Sequence, residues 1–127
     1  MMKIKASSED YLETILLLSE QKNRVRAIDI ANHMHFAKPT VSIKMKQFRE
    51  NGYITMDADK GICLTEKGAE IAYRIQRRHD LLFKVLTAIG VDAETAHEDA
   101  CKIEHNISEK TFECIGTFYA MHIKQNE

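Results

Sequence analysis

Cysteine is scarce and scattered in this chain: Cys63, Cys101 and Cys114 are odd in number and share no C-x-x-C spacing. That argues against a disulfide framework and against a zinc ribbon, and reduced thiols are expected. Long apolar runs are missing as well. The longest, Ile15 to Leu18, is far too short to span a bilayer, and the start Met1-Met2-Lys3-Ile4-Lys5 lacks the apolar stretch of a signal peptide. A cytoplasmic address without membrane contact is the expectation. There is a single proline, and no internal repeat, low-complexity segment or proline-rich linker marks a boundary between domains. Any boundary is therefore expected near residue 70, inside a helix rather than in a loop.

What is present is one ordinary core's worth of apolar residues, 44% hydrophobic against 29% charged over 127 residues, or two small cores sharing a partner. The net charge is only −1 but its distribution is uneven. Residues 22 to 49 hold Lys22, Arg24, Arg26, Lys38, Lys44, Lys46 and Arg49 against a lone Asp29. Residues 92 to 113 hold Asp92, Glu94, Glu98, Asp99, Glu104, Glu109 and Glu113 against Lys102 and Lys110. One half is suited to phosphates and the other to cations, although solvated helix faces would also account for both runs.

Periodicity orders the elements. Ser7 and the acids after it open an amphipathic helix to residue 21, with Tyr11, Leu12, Ile15, Leu16 and Leu18 inward. Ala27 to Met34 reads as a short helix with Ile28, Ile30, Ala31 and Met34 inward. A turn near His35-Phe36-Ala37 leads to Pro39, which suits the first turn of the next helix. That helix runs to Asn51 with Val41, Met45 and Phe48 inward, and ends at Gly52, a residue that takes a left-handed cap cheaply. Short helix, turn, longer helix is the helix-turn-helix pattern. Tyr53 to Met56 and Ile62 to Leu64, joined by a glycine-containing turn, read as a hairpin wing. Thr65-Glu66 starts a long helix carrying Ile71, Ile75, Leu82, Val85, Leu86 and Ile89 to Gly90. Residues 92 to 106 and 108 to 123 read as two more helices, the second rich in Phe112, Ile115, Phe118 and Tyr119, apolar enough to imply dimerisation.

The expected fold is thus mainly α: a winged helix-turn-helix DNA-binding domain over residues 1 to 70, then an α-helical dimerisation and metal-binding domain over 71 to 127. The spacing, the basic stretch, the small polar residues at the start of the second helix and the wing converge on a DNA-binding transcription regulator. The residues placed for DNA are Arg26, Ala27, Lys38, Pro39, Thr40, Ser42, Lys46, Arg49 and Lys60. A winged helix that binds protein instead would carry the same lysines as mere surface.

A second constellation is Cys101-Lys102-Ile103-Glu104-His105. Positions 101, 104 and 105 share one helical face, so thiolate, carboxylate and imidazole converge, with His97 one turn earlier. Asp10 and Glu13 share a face of the first helix, and His79 stands on the long helix. Each alone has a structural explanation: a dipole partner, a solvated acid, a small core thiol, a hydrogen-bonded imidazole. Together they offer O, N and S donors suited to a divalent first-row metal.

The chain resembles the diphtheria-toxin-repressor family of metal-dependent regulators, in its short form like the manganese transport regulators. The residues that carry the resemblance are Glu9-Asp10-Tyr11-Leu12-Glu13, Pro39-Thr40-Val41-Ser42, Leu64-Thr65-Glu66-Lys67-Gly68, Arg78-His79 and His97 through His105. It implies a homodimer that binds a palindromic operator in double-stranded DNA when loaded with Mn²⁺ or Fe²⁺, one or two ions per subunit, and represses metal-uptake genes. It also implies that Asp10, Glu13, His79, Glu104 and His105 match ligands of the manganese-type site. Cys101 departs toward the iron branch, where Met in turn replaces Asp10, so the set is a hybrid. His97 is a lesser candidate, because the Glu that accompanies it in the iron branch is Phe83 here. The short form lacks the SH3-like third domain of the iron branch. A metal drawing ligands from both halves would favour a DNA-competent arrangement by about 1–3 kcal/mol per coupled site. Two alternatives stand beside this: a thiol-redox regulator using Cys101, and a metal-dependent enzyme. For an enzyme the chain offers no nucleophile motif, no glycine-rich phosphate loop and no paired E-x-x-H signature, so no enzymatic activity is expected.

Overall fold

The structure is a computed structural model and describes residues 6–124; the Met1 to Lys5 start used above lies outside the described residues. It comprises helices α1 (Ala6–Gln21), α2 (Ala27–Met34) and α3 (Lys38–Glu50), strands β1 (Ile54–Met56) and β2 (Ile62–Leu64), and helices α4 (Glu66–Ala88), α5 (Ala93–Ile103) and α6 (Glu109–Phe118), with a π-helical turn at Tyr119–Ile123. The chain divides into two compact units, Met1–Tyr73 and Arg74–Glu127.

In the first unit, Leu12, Ile15, Ile30, Val41, Met45 and Ile54 form a closed core with Phe48, Val25 and Ile62. The i, i+3, i+4 spacing on α1 and α3 puts these side chains on one face, and their burial is worth roughly 1.5–3 kcal/mol each. Strands β1 and β2 pair antiparallel, with Ile54 opposite Leu64 and Met56 opposite Ile62. The stretch before α2, basic in sequence, also contributes to this sheet: the Ile62 N–H donates to the Val25 carbonyl at 2.7 Å.

Two helices of this unit end in the same way. After α3, Gly52 takes φ +80°, the Tyr53 N–H donates to the Phe48 carbonyl at 2.9 Å, and the Gly52 N–H to that of Arg49 at 3.2 Å. This is the Schellman arrangement, and the Tyr53 ring packs edge-on to Phe48 at 5.9 Å. After α2 the left-handed residue is His35, φ 60°, and the Phe36 N–H donates to the Ala31 carbonyl at 3.0 Å. At the wing tip the left-handed residue is Lys60, φ 64°.

Thr65 joins α4 to this frame. Its hydroxyl donates to the Gly52 carbonyl at 2.6 Å and accepts from the Gly68 N–H at 3.2 Å, capping α4, while its own N–H donates to the Tyr53 carbonyl at 3.1 Å. A Cβ on Gly68 would fall on that same Tyr53 carbonyl oxygen, and the clash is with backbone.

In the second unit Ile75, Leu82, Ala96, Ala100 and Tyr119 are buried. Asp92 caps α5 by accepting from the Thr95 N–H at 3.0 Å, and Ser108 caps α6 by accepting from the Thr111 N–H at 3.1 Å.

Several details differ from expectation. Helix α1 begins at Ala6, so Ser7 lies inside it rather than at its cap. Ile28 is 43% exposed rather than inward, because the short α2 buries only the Ile30 and Ala31 side. Ile89 is 70% exposed, lying beyond the last turn of α4. The last helix loses its α-geometry at Tyr119, where the π-helical turn begins.

Replacing Gly68 with Ala is expected to destabilise the protein by about 2 kcal/mol or more, since the obstruction is backbone and cannot rotate away; urea unfolding would register it as a lower midpoint at unchanged slope. A second expectation concerns acid. The Lys22 ammonium, bonded to Asp29 at 2.7 Å, and then the Arg26 N–H hold the Asp29 carboxyl below its ordinary value. A lowered folded value means the contribution is complete above the unfolded value, about pH 4, and is lost as pH falls through the folded one. Asp29→Asn should therefore cost stability near pH 6 and progressively less below pH 4, measured by unfolding at both pH values.

Candidate DNA-reading groove and metal centre

The helix-turn-helix of the first unit carries a concave groove of about 310 Å³. Seven of the nine residues placed for DNA line it: Arg26 and Ala27 at the start of α2, Lys38, Ser42, Lys46 and Arg49 along α3, and Lys60 at the wing tip. Pro39 and Thr40 lie in the first turn of α3, exposed, outside this lining. Apolar Ile28, Met45 and Met56 complete the wall. Ile28 and Met56 were not anticipated; the brevity of α2, which cannot bury both Ile28 and Ile30, was the available signal for the first.

The cations around this groove are not equally available. Lys22 is engaged with Asp29, and Arg24 pairs with Asp57 at 2.8 Å and lies 3.7 Å from Asp59. Arg26 Nε donates to the Asp59 carbonyl at 3.2 Å, bracing the wing turn against the start of α2. For Lys38, Lys46 and Lys60 the exposed ends stand over the groove, where phosphate oxygens would be met.

The second unit gathers the other constellation. His79 is on α4, His97 and Cys101 are on α5, and Glu104 and His105 follow in the turn after it, because α5 ends at Ile103 rather than near 106. Glu104 is fully buried. His79 Nδ1 lies 2.9 Å from Glu104 Oε2 and 3.7 Å from Cys101 Sγ, and His79 Nε2 lies 3.0 Å from His97 Nδ1. His105 Nε2 is 3.4 Å from Glu104 Oε1, and that buried oxygen accepts no hydrogen bond. Ligand atoms of His79, His97 and Cys101 lie within 4.8 Å of one another. A buried carboxylate oxygen without a donor is costly unless a cation answers it. Imidazole, thiol and carboxylate in this proximity therefore fit a divalent transition metal. Asp10 and Glu13 lie in α1 of the first unit, both half-buried.

The turn after α5 is shaped by Arg78, a residue whose role the sequence did not reveal. It is buried, and its Nη1 donates to the carbonyls of Glu104 at 3.0 Å and Ile107 at 3.1 Å. Its Nη2 meets Glu109 at 2.8 Å, and the guanidinium lies 5.4 Å from the centre of the Phe112 ring. The carbonyls at the end of α5 are thus answered by a cation instead of by further helix.

A winged helix with a basic groove is followed by a helical unit with clustered imidazole, thiol and buried carboxylate, the pairing of a DNA-binding frame with a candidate metal centre. Residues 3–62 match the iron dependent repressor N-terminal DNA binding domain, and residues 65–125 match the iron dependent repressor metal binding and dimerisation domain. The chain belongs to this iron-dependent repressor family.

Two HTH-type transcriptional regulators named MntR, from Bacillus pumilus (strain SAFR-032) and Bacillus subtilis (strain 168), are each 36% identical over 110 residues. Those residues make up 87% of this chain and 76% and 78% of theirs. Among solved structures, the manganese regulator SloR superposes with a TM-score of 0.77 at 29% identity, covering 94% of this chain and 55% of that one. The metal-dependent transcriptional regulator MtsR gives 0.80 at 28%, covering 89% and 53%. The chain spans about half the length of these solved relatives. No helix among the described residues is long and apolar enough to cross a membrane.

Arg78→Met is expected to cost about 2 kcal/mol or more, because two carbonyls lose a charged donor together. Glu109→Gln should cost less than about 1 kcal/mol, its side chain being 60% exposed. Thermal unfolding of both variants would reverse this account if Glu109→Gln proved the more damaging.

Proposed function

We propose that this protein acts in the cytoplasm as a homodimer that represses metal-uptake genes from a palindromic operator when loaded with Mn²⁺ or Fe²⁺, one or two ions per subunit, and that it is not an enzyme. The observation that carries the metal half of this reading is Glu104: a fully buried carboxylate whose Oε1 lacks a hydrogen-bond donor, beside an imidazole and a thiol. A bound divalent cation supplies the positive charge that this carboxylate lacks. His79, Cys101, Glu104 and His105 supply its donors from the second unit. Asp10 and Glu13 are assigned to the ion by their shared face on α1 and by the family resemblance.

The donor set bears on the choice of ion. Oxygens from Asp10, Glu13 and Glu104 suit manganese, whereas the Cys101 sulfur suits iron, cobalt or zinc. Support for a transition metal also comes from two relatives. A manganese-dependent transcriptional repressor, solved in complex with manganese, has a TM-score of 0.80 at 25% identity. ScaR, at 26% identity, is solved with bound Zn²⁺.

The DNA half rests on the groove. Lys38, Lys46, Arg49 and Lys60 hold phosphates, Arg26 and Ala27 present the start of α2, and Pro39, Thr40 and Ser42 meet base edges from the N-terminal turn of α3. Homodimerisation is supported by the second unit's surface, where an apolar groove of about 470 Å³ includes Val85, Cys114, Ile115 and Phe118, and where Phe118 and Met121 are more than half exposed. An effector that tightens DNA binding must itself be bound more tightly in the presence of DNA, by the same factor.

The test is anaerobic operator binding titrated with Mn²⁺, Fe²⁺, Co²⁺ and Zn²⁺, for wild type and Cys101→Glu. Metal-dependent binding is expected, with Cys101→Glu shifting preference toward Mn²⁺. Binding that ignores metal in both proteins would remove the sensor reading. In the same assay Thr40→Ala and Lys38→Ala should weaken DNA binding roughly 5- to 100-fold, as loss of one base or phosphate contact does. Their metal affinity without DNA should be unchanged.

A further inference from the structure

The His79 ring faces different chemistry through its two nitrogens. Nδ1 lies 2.9 Å from Glu104 Oε2 and 3.7 Å from Cys101 Sγ, and Nε2 lies 3.0 Å from His97 Nδ1. We propose that His97 is a positioning residue and not a metal ligand: its Nδ1 accepts the hydrogen of His79 Nε2 and so reserves His79 Nδ1 for the ion. This rests on the metal-binding reading above and specifies which atoms perform it.

Separations are compatible with an ion on either side of the ring, and the charge of the partners favours the Nδ1 side. With metal–nitrogen and metal–oxygen bonds of about 2.1 Å and metal–sulfur bonds of about 2.3 Å, ligands of one ion stand roughly 3.0 Å apart at a right angle and roughly 3.6 Å apart at a tetrahedral one. The distances from Nδ1 to the carboxylate and to the sulfur fall at these values, and both partners carry negative charge when they ligate. The Glu104 oxygen without a hydrogen-bond donor belongs to the same carboxylate. On the Nε2 side stands the ring of His97, an exposed residue with no carboxylate or thiol to offer, and one helical turn beyond His79 stands Phe83, which has no donor atom.

An imidazole that gives one nitrogen to an ion carries its hydrogen on the other, and a bond from that N–H to a fixed acceptor sets the ring's orientation and its basicity. With Nδ1 on the ion, Nε2–H donates. At 3.0 Å the acceptor is His97 Nδ1, within ordinary N–H hydrogen-bond range. His97 then carries its own hydrogen on Nε2, toward solvent.

The experiment compares His97→Leu and His97→Asn in the full chain by direct titration with Mn²⁺ and Co²⁺, alongside long-range ¹H–¹⁵N correlation of the Zn²⁺-loaded wild type. His97→Leu should weaken metal binding 10- to 100-fold with the number of ions per chain unchanged. His97→Asn, whose Oδ1 can accept in place of Nδ1, should recover to within about threefold of wild type. The correlation should place hydrogens on Nε2 of both His79 and His97. Loss of one ion per chain in both variants, or a metal-shifted nitrogen on His97, would overturn the proposal while leaving the metal reading intact. A wild-type chain that binds none of these ions would overturn both.

Discussion

The contact on which the first unit depends is the approach of α4 to the Tyr53 carbonyl. One residue there, Tyr53, serves three structures. It ends the turn that leaves α3, it precedes the first strand of the wing, and it receives the Thr65 N–H from the start of α4. Only a residue without a Cβ at position 68 lets the helix come this close. Thr65 answers the exposed groups on both sides, bonding to Gly52 behind it and Gly68 ahead. Lys67 adds a bond to the Asn51 carbonyl at 3.2 Å and lies 4.3 Å from the centre of the Tyr53 ring. Helix α3, the wing and the start of α4 are therefore located by one small joint, rather than by separate packing surfaces.

Much of the architecture was legible because the chain uses local signals strongly. Pro39 falls within the first turn of α3, Gly52 takes the left-handed conformation after its end, and the period-3.6 pattern of Val41, Met45 and Phe48 is buried as a set. Where local signals are weak, the structure departs from the pattern in the sequence. Ile28 sits in a helix of only 8 residues, too short for periodicity to say which of two isoleucines points inward. Lys60 and His35 hold left-handed conformations that residue type does not announce, because surrounding hydrogen bonds impose them. Helix α5 ends a few residues before its sequence pattern does, where the side chain of Arg78, from a helix 26 positions earlier in sequence than Glu104, takes the Glu104 carbonyl.

The candidate site divides in the same manner. The i, i+3, i+4 relation of Cys101, Glu104 and His105 could be read directly, with His79 on the long helix as a further imidazole, and the family resemblance implied the same residues as ligands. What sequence could not supply is which oxygen of Glu104 lacks a donor, or that His79 stands between a carboxylate on one side and a second imidazole on the other. Those are facts about directions of lone pairs, and residue spacing carries no information about them. The apolar wall of the basic groove was hidden for a related reason: Met56 and Ile28 are ordinary core residues by type and become groove lining only through the register of the hairpin and the shortness of α2.

The pairing of Arg24 with Asp57 and Asp59, and of Lys22 with Asp29, has a consequence for how this surface meets a polyelectrolyte. Counterion release scales with phosphates neutralised by unpaired cations, with a slope in log salt of about −0.9 for each one. Of the seven Lys and Arg residues between positions 22 and 49, two already neutralise acids on the same unit and displace few ions from a duplex. The apparent charge of the reading surface is accordingly smaller than its formula, and its affinity is less steeply eroded by salt than the composition of that stretch implies. Internal pairing of this kind trades non-specific attraction for a fixed wing, which suits a protein whose occupancy of DNA is meant to be set by an effector and not by ionic strength.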